Sequence, residues 1–258
     1  MERPAAASSF QFFPSSTLYP GYVADPRRPE FGVAILGYPD PRIPDSGDQR
    51  VGLKLGGRFG LLRFGGWQFD IEPGFVGQFD IDHSLDNVGW DGIYNFLFSS
   101  ALRDDLHVQI GTKHVSSHVG DEYAERTGRR RIGYTRDEAA AGAVWTITPG
   151  WRTYAEAGWG LSLKKEIGQE PGRLQVGLEH EAPGSLGRGR LGWYAALDLG
   201  AMAERDWQVD PSLQIGLLVP AGDRRWRIGL GVHDGTVPIG EFYRVDETYL
   251  ALGLWLVP

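Results

Sequence analysis

The sequence contains no cysteine and only two methionines among its 258 residues. Without cysteine, disulfide bonds and thiolate metal sites are excluded. No apolar run approaches the roughly 18 residues that a membrane-spanning helix requires, which excludes a transmembrane helix. A basic surplus is also missing: the net charge is −7, and the longest basic run is Arg129-Arg130-Arg131. This balance argues against a nucleic-acid partner.

Glycine (37) and aromatic residues (9 Trp, 10 Tyr and 12 Phe) are abundant. Many of the aromatic residues follow a two-residue period, which is typical of β-strands with one apolar face. The clearest example follows Gly65-Gly66, where the odd positions are apolar and the even ones carry charges or amides. The apolar positions are Trp67, Phe69, Ile71, Phe75, Phe79 and Ile81.

The same alternation recurs about twelve times between Phe31 and the end of the chain. Short connections near Gly65, Asp104, Pro149, Gly184 and 220–223 alternate with longer ones at 38–49, 82–91, 118–131, 165–172 and 234–246. Short turns on one rim and long loops on the other are typical of outer-membrane barrels. A soluble barrel is the alternative, but twelve strands enclose too wide a lumen for side chains to fill as a core. We therefore predict a single antiparallel up-and-down transmembrane β-barrel over residues 31–258, in the outer membrane of a Gram-negative bacterium.

Residues 1–30 form a separate segment that is rich in proline and aromatic residues. Prolines at 4, 14, 20, 26 and 29 favour an extended chain that pairs poorly inside a sheet. We expect this segment to pack on the barrel or to plug one end; for residues 1–9 a loose leader remains the alternative. Ala5-Ala6-Ala7-Ser8 resembles the remnant of a signal cleavage region, and both a processed chain and a chain without a signal remain open.

The densest group of reactive side chains is His114–Tyr123. If Leu106 and Ile110 face lipid, then His114 and Ser116 also face outward, within hydrogen-bonding reach of each other. The spacing resembles the His-x-Ser of outer-membrane phospholipase A and of lipid A deacylase barrels. That resemblance implies an outer-leaflet lipid or lipopolysaccharide esterase with Ser116 as nucleophile, His114 as base and Asp137 as orienting acid. The sequence departs from the phospholipase pattern after Ser116, where Ser117-His118 replaces asparagine and glycine.

Acidic and imidazole groups in the long loops provide a second hypothesis. Carboxylates and imidazoles that converge from separate loops bind Ca²⁺ or a softer divalent ion. We expect no resident cofactor, with calcium at the extracellular rim as the alternative. The same side chains also suit a purely structural role as loop anchors, or simple contact with water and lipopolysaccharide phosphates. The candidates are His118, Asp121, Glu122, His233, Asp234 and Glu241.

Charges of both signs occupy the inward-facing positions of the predicted wall. Such a lumen is either crossed by ion pairs or wetted as a narrow channel. Both interpretations are compatible with the alternation alone. The predicted lumen charges are Arg58, Asp70, Glu72, Arg152, Glu156, Arg173, Glu179, Arg190 and Arg227.

Several stretches together resemble an uncharacterised family of bacterial outer-membrane proteins, catalogued as a domain of unknown function. The most specific is the block Ser116-Ser117-His118-Val119-Gly120-Asp121-Glu122-Tyr123. The others are Ala24–Arg27, Tyr134–Glu138, Asp206-Trp207, His233–Gly235 and Gly240–Tyr243. The resemblance implies a barrel in contact with outer-membrane lipid and lipopolysaccharide and brings no activity with it. We expect a scaffold, a narrow channel or a surface-interaction protein; whether it is an enzyme, and whether it has protein partners or forms oligomers, stays open.

Overall fold

A computed structural model describes residues 10–222 and 224–257. The proposed leader and cleavage remnant before residue 10 lie outside the described residues. Within these ranges the regular structure is mostly β-strand, with one short α-helix, α1, at Asp121–Thr127 and four single 3-10 turns in the connections. The strands are β1 (Gln11–Phe12), β2 (Phe31–Gly37), β3 (Gln49–Gly56), β4 (Phe59–Phe64), β5 (Trp67–Asp80), β6 (Asp86–Arg103), β7 (Leu106–Val119), β8 (Thr135–Thr148), β9 (Trp151–Leu163), β10 (Gly172–Leu186), β11 (Leu191–Met202), β12 (Val209–Ala221), β13 (Arg224–Thr236) and β14 (Asp246–Val257).

The strands close into an antiparallel barrel. Neighbours in sequence pair all the way round, and β14 closes the wall by pairing with β2, with Leu252 opposite Ile35. Strands β3 and β4 both pair with β5, so they are two parts of one wall strand. The wall therefore has twelve strands, and the short β1 pairs with β4 beside it. The predicted twelve-stranded transmembrane barrel is confirmed.

The outer surface of the wall is apolar and the inner surface is polar. Leu161 and Leu252 point outward and are 64% and 60% exposed, whereas inward-facing Arg50 and Asp70 are fully buried. This is the reverse of a water-soluble protein and matches a barrel whose outer face meets lipid. Among the described residues no helix has the length and apolarity needed to cross a membrane.

The two rims differ in the length of their connections. We call the end with the connections 65–66, 104–105, 149–150 and 187–190 the short-turn rim. The opposite end, with the connections 38–48, 120–134, 164–171 and 237–245, is the long-loop rim. The expected loop at 82–91 is shorter than predicted because β6 begins at Asp86. Similarly, β10 continues through Gly184 to Leu186, where a turn was predicted.

Apolar side chains from three of the long loops pack together over the barrel mouth. We call loops 38–48, 120–134 and 237–245 the lid. Tyr123 of α1 is fully buried, its ring meets Phe242 edge-on at 6.0 Å, and its hydroxyl donates to the Pro44 carbonyl oxygen at 2.5 Å. Burial of this apolar area holds the loops against one another. The buried members of the cluster are Ile43, Val76, Val88, Ile93, Val119, Tyr123, Val237, Ile239 and Phe242.

Residues 14–30, which we call the plug, pass from an exposed stretch at 15–17 into the interior of the barrel. Tyr19, Tyr22 and Val23 are at most 5% exposed. The backbone of the plug forms no strand, so side chains of the wall satisfy its polar groups. The Val23 N–H donates to Glu179 Oε1 at 2.5 Å, and Arg58 Nη1 donates to the Tyr19 carbonyl at 3.2 Å.

Glycine in the wall lets the plug approach closely. A Cβ placed on Gly74 would lie 2.6 Å from Cβ of Pro29, and one on Gly142 would lie 2.8 Å from the Tyr19 hydroxyl. Because any larger residue at Gly74 would collide with the rigid proline ring, the plug and the wall are complementary in shape.

Candidate functional site

The His114–Tyr123 stretch lies at the long-loop rim, where β7 ends and α1 begins. His114, Ser116 and His118 face outward on β7, as the alternation predicts. Ser117 faces inward and is 2% exposed, and its hydroxyl oxygen accepts a hydrogen bond from the Glu241 N–H at 2.8 Å. The side chains of this stretch therefore point in two directions: His114, Ser116 and His118 lie on the outer face, and Ser117 contacts the lid.

His114 is held by an acid, as expected. It pairs across the strands with Asp137 of β8, and His114 Nδ1 lies 2.5 Å from Asp137 Oδ1. The Tyr94 ring stacks on the imidazole with centroids 4.1 Å apart. The other ring nitrogen, Nε2, is buried and has no hydrogen-bond partner among the described residues. An imidazole oriented in this way has one nitrogen free to accept a proton.

The hydroxyl of Ser116 does not contact His114. Its Oγ lies 3.2 Å from Nε2 of His118, whose ring stacks on Trp90 with centroids 4.3 Å apart. The expected Ser116–His114 hydrogen bond is therefore not formed. A serine two residues from a histidine on each side can reach either, and here the stacked His118 ring presents a nitrogen to it while the His114 ring is turned to Asp137.

The predicted metal candidates at the rim are separate from one another. Asp121 is exposed and pairs with Arg131, and Glu122 is exposed in the first turn of α1. Asp234 Oδ1 accepts a hydrogen bond from the Thr248 hydroxyl at 2.5 Å. Within residues 10–222 and 224–257, no three His, Asp or Glu side chains are grouped so that they could hold a metal ion.

Two of these candidates instead hold structure together. Glu241 is 1% exposed and its carboxylate accepts hydrogen bonds from the N–H groups of Ile132 (2.9 Å) and Gly133 (2.5 Å). It therefore ties loop 120–134 to loop 237–245. His233 lies in the lumen, where one ring nitrogen meets the Ser212 hydroxyl at 2.8 Å and the other meets the Thr236 carbonyl at 2.9 Å. Both nitrogens are occupied, so this ring is a structural group.

Most of the predicted lumen charges form ion pairs inside the barrel. Arg173 bridges Glu138 (2.5 Å) and Glu156 (2.6 Å), and Arg152 pairs with Glu179. Asp70 accepts hydrogen bonds from the Ser99 hydroxyl and the Gln68 amide, and Arg58 lies 3.5 Å from Glu72. Arg190 is an exception: it is exposed at the short turn before β11 and does not belong to this network.

Several polar groups of the interior, among them Glu30, Arg50, Tyr134 and Glu247, were missed in the sequence. Arg50 pairs with Glu247 at 2.7 Å, and Arg227 pairs with Glu30 of the plug. Tyr134 of the lid donates to Glu204 Oε1 at 2.8 Å. Burial and the nearby Glu204 carboxylate raise the pKa of Tyr134, which keeps this phenol a neutral donor. Alternation could identify Arg50 and Arg227 as inward-facing, but not their partners.

An internal cavity of about 160 Å³ remains between the plug, the wall and the lid; we call it the lumen cavity. Among its lining residues are four carboxylates that have no cationic nitrogen within 4.0 Å in the described part of the chain. They are Asp25, Asp91, Asp198 and Asp210. Arg27, which also lines the cavity, has no carboxylate within that distance, and Nη1 contacts Sδ of Met202 at 3.5 Å.

A closed twelve-stranded wall with an apolar exterior and a charged, plugged interior defines a transmembrane β-barrel protein. The chain belongs to the family described as "Protein of unknown function (DUF1207)", whose model matches residues 5–256. No curated protein matches the sequence.

Solved structures of outer-membrane phospholipase A have a similar fold. The Escherichia coli protein matches with a TM-score of 0.63 and 10% identity, over 89% of this chain and 90% of that one. The Salmonella typhi phospholipase dimer with bound calcium matches with a TM-score of 0.64 and 10% identity, over the same shares. An active-site mutant of the E. coli phospholipase matches with a TM-score of 0.63 and 11% identity, over 93% and 95%. At this identity the likeness extends to the fold alone.

Proposed function

We propose that this protein is an outer-membrane barrel that acts as a narrow gated passage, with the plug as its gate. The observation that carries the proposal is the lumen cavity, a space inside the wall that the plug, the lid and charged side chains of the wall line together. The likeness to outer-membrane barrels supports the location, with outer-membrane lipid and lipopolysaccharide in contact with the apolar exterior. A scaffold with a permanently sealed interior is the alternative.

The contacts of the plug suit a gate. From Pro14 to Glu30 the segment forms no strand, and side chains attach it to the wall. Glu30 accepts hydrogen bonds from Arg227 and from Lys54, the latter at 3.3 Å, and the Tyr22 hydroxyl donates to Glu156 at 3.1 Å. A shift of the plug therefore breaks side-chain contacts and leaves the hydrogen-bond ladder of the wall intact.

Single-channel recording of the full chain in planar lipid bilayers tests this proposal. Glu30→Gln combined with Arg227→Met removes both charges of the plug anchor without leaving either one buried alone. We expect wild-type protein to be closed for most of the recording, and the double variant to open at least ten times more often. Asp121→Asn, at the exposed lid pair with Arg131, is the matched control and is expected to behave like wild type.

A well-folded double variant that stays closed would contradict the gate and favour the sealed scaffold. Folding is checked independently by the heat-dependent shift of the barrel band on a semi-native gel. A wild-type protein that conducts steadily would also contradict the proposal, because the plug would then not close the lumen.

Hydrolysis of outer-leaflet lipid esters is a second candidate, favoured by the His114–Asp137 contact at 2.5 Å on the outer face. For this activity the Ser116 hydroxyl would have to rotate from His118 to the free Nε2 of His114, which would act as base. Because the Ser116 hydroxyl contacts His118 and not His114, we rank this function second.

Mass spectrometry of isolated outer membranes decides between the two functions. We expect Ser116→Ala to leave the acyl chains of phospholipid and lipid A unchanged from wild type. A clear loss of deacylated lipid in that variant, with no loss in Ser117→Ala, would reverse the ranking.

A further inference from the structure

We infer that the lumen cavity binds a small zwitterionic solute, with its cationic group at Asp25 and Asp198 and its anionic group at Arg27. This inference names the solute class for the proposed passage and in that respect rests on the proposed function. Binding itself does not require conduction, so the two can be tested separately.

The first observation is the isolation of Arg27 among the cations of the cavity. The other basic residues that line it each have a carboxylate within 4.0 Å: Arg28, Arg58, Lys113, Arg136 and Arg173. Among the described residues, the guanidinium of Arg27 has only the thioether of Met202 within hydrogen-bonding distance, at 3.5 Å, although six carboxylates line the same cavity. A guanidinium usually takes a bidentate anionic partner, and here that position is available to a ligand.

The second observation is the set of carboxylates without cations. Asp198 is 2% exposed and accepts hydrogen bonds only from neutral donors, the Tyr154 hydroxyl at 2.5 Å and the Gln175 amide at 2.8 Å. Asp91, 1% exposed, accepts from the Gly240 N–H at 3.0 Å, and Asp210 accepts from the Thr236 N–H at 3.0 Å. Buried carboxylates are normally paired with a cation, and neither Asp91 nor Asp198 has a cationic nitrogen within 4.0 Å in the described part of the chain.

The plug contributes one carboxylate, Asp25, and one guanidinium, Arg27, to the lining of the cavity. Asp25 and Arg27 are two residues apart in the Ala24–Arg27 stretch, and the Arg27 N–H donates to Asp25 Oδ1 at 2.8 Å. This turn fixes the backbone between the two residues, and both residues line the lumen cavity. A ligand with two charges would therefore contact the plug at both ends.

The balance of charges selects the ligand class. A simple cation would leave Arg27 without an anionic group in direct contact, and a simple anion would leave the buried Asp91 and Asp198 without a cation in direct contact. A metal ion is disfavoured because the described residues offer no group of three His, Asp or Glu ligands. A cavity of about 160 Å³ holds on the order of ten water-sized groups, which fits a compact molecule with one ammonium and one carboxylate.

The test measures thermal stabilisation of the full chain refolded from urea into detergent micelles with a probe present, so that entry past the plug does not limit binding. The probes are β-alanine (zwitterion), ethylammonium (cation) and acetate (anion) at equal concentration and ionic strength. A ligand of the folded state alone raises the melting temperature Tm. We expect β-alanine to raise Tm by several degrees, and more than either single-charge probe does.

Variants locate the binding. We expect Arg27→Gln to lower the effect of β-alanine to that of ethylammonium, Arg27→Lys to restore part of it, and Asp198→Asn to weaken the effect of both amines. Arg131→Gln on the exposed lid, a matched loss of one guanidinium, is expected to retain the full shift. Equal shifts with all three probes, a β-alanine shift of undiminished size in Arg27→Gln, or no shift with β-alanine would each overturn the inference.

The outcomes also separate this inference from the gate. Stabilisation by β-alanine without any conductance in the Glu30→Gln/Arg227→Met variant would contradict the passage and leave the solute site standing. Conductance in that variant without stabilisation by β-alanine would contradict the solute site and leave the gated passage standing.

Discussion

Glu30 of the plug forms a buried ion pair with Arg227 of strand β13; the two side chains are 3% and 1% exposed. Arg227 Nη1 also donates to the Val23 carbonyl at 3.2 Å, so one guanidinium holds the plug at two points. This pair joins a segment without secondary structure to the wall and replaces the ladder bonds that the segment does not form. The position of the plug therefore depends on a few side chains.

We expect loss of one partner of this pair to be more harmful than loss of both. Glu30→Gln alone leaves the buried Arg227 guanidinium without a carboxylate within 4.0 Å in the described part of the chain, and should lower the free energy of unfolding by about 3 kcal/mol. The double variant Glu30→Gln/Arg227→Met removes that unpaired charge and should recover part of this loss. Urea unfolding in lipid vesicles measures both, and a double variant less stable than Glu30→Gln would contradict the pairing.

An exposed pair provides the contrast. Arg103 and Asp105 lie at a short turn, 2.9 Å apart and 62% and 45% exposed. Because solvent screens such pairs, Arg103→Gln should change the free energy of unfolding by less than about 1 kcal/mol. A loss as large as that of Glu30→Gln would mean that burial is not what makes the plug anchor strong.

Enlarging the wall at Gly74 should displace the plug without any change of charge. A side chain at this position would collide with Pro29, whose ring cannot rotate away. We expect Gly74→Val to open the lumen in bilayer recordings as the charge variant does. Gly37→Val is the control, since nothing lies within 4 Å of a Cβ at Gly37, and it should remain closed.

The Glu241 carboxylate should order the lid independently of the barrel wall. Its removal by Glu241→Ala leaves the N–H groups of Ile132 and Gly133 without their acceptor. Hydrogen exchange should then become at least tenfold faster at these two amides and stay unchanged in β10 and β11. Uniform acceleration across the barrel would indicate a global loss of stability and contradict a local role.

The barrel was predictable because the alternation of apolar and polar residues is a local signal that is complete within each strand. The inward or outward direction of His114, Ser116 and Ser117 followed from the same rule. The start of β6 was missed because Asp86 and Asn87 precede its apolar alternation and resemble a loop. Such polar residues at a strand end carry no sign of the pairing that extends the strand.

Contacts between distant segments were not predictable. The Glu30–Arg227 and Arg50–Glu247 pairs join residues 197 positions apart, and no local pattern encodes them. The choice of His118 over His114 by Ser116 depends on ring stacking against Trp90 and Tyr94, which belong to the neighbouring strand. Which of two equally spaced histidines a serine contacts is therefore decided by side chains of the neighbouring strand, which the local sequence does not specify.

The most direct test of the gate uses the absence of cysteine, which makes any introduced thiol unique. Val23→Cys places it in the plug at a site 3% exposed, and Phe12→Cys places it at a site 70% exposed. The measurement is the rate of labelling by a bulky charged maleimide in folded, membrane-inserted protein. We expect labelling at Phe12→Cys to be at least a hundred times faster than at Val23→Cys, and the rate at Val23→Cys to rise markedly when Glu30→Gln/Arg227→Met is added. Equal rates at the two sites, or a Val23→Cys rate that the double change does not raise, would contradict the gate.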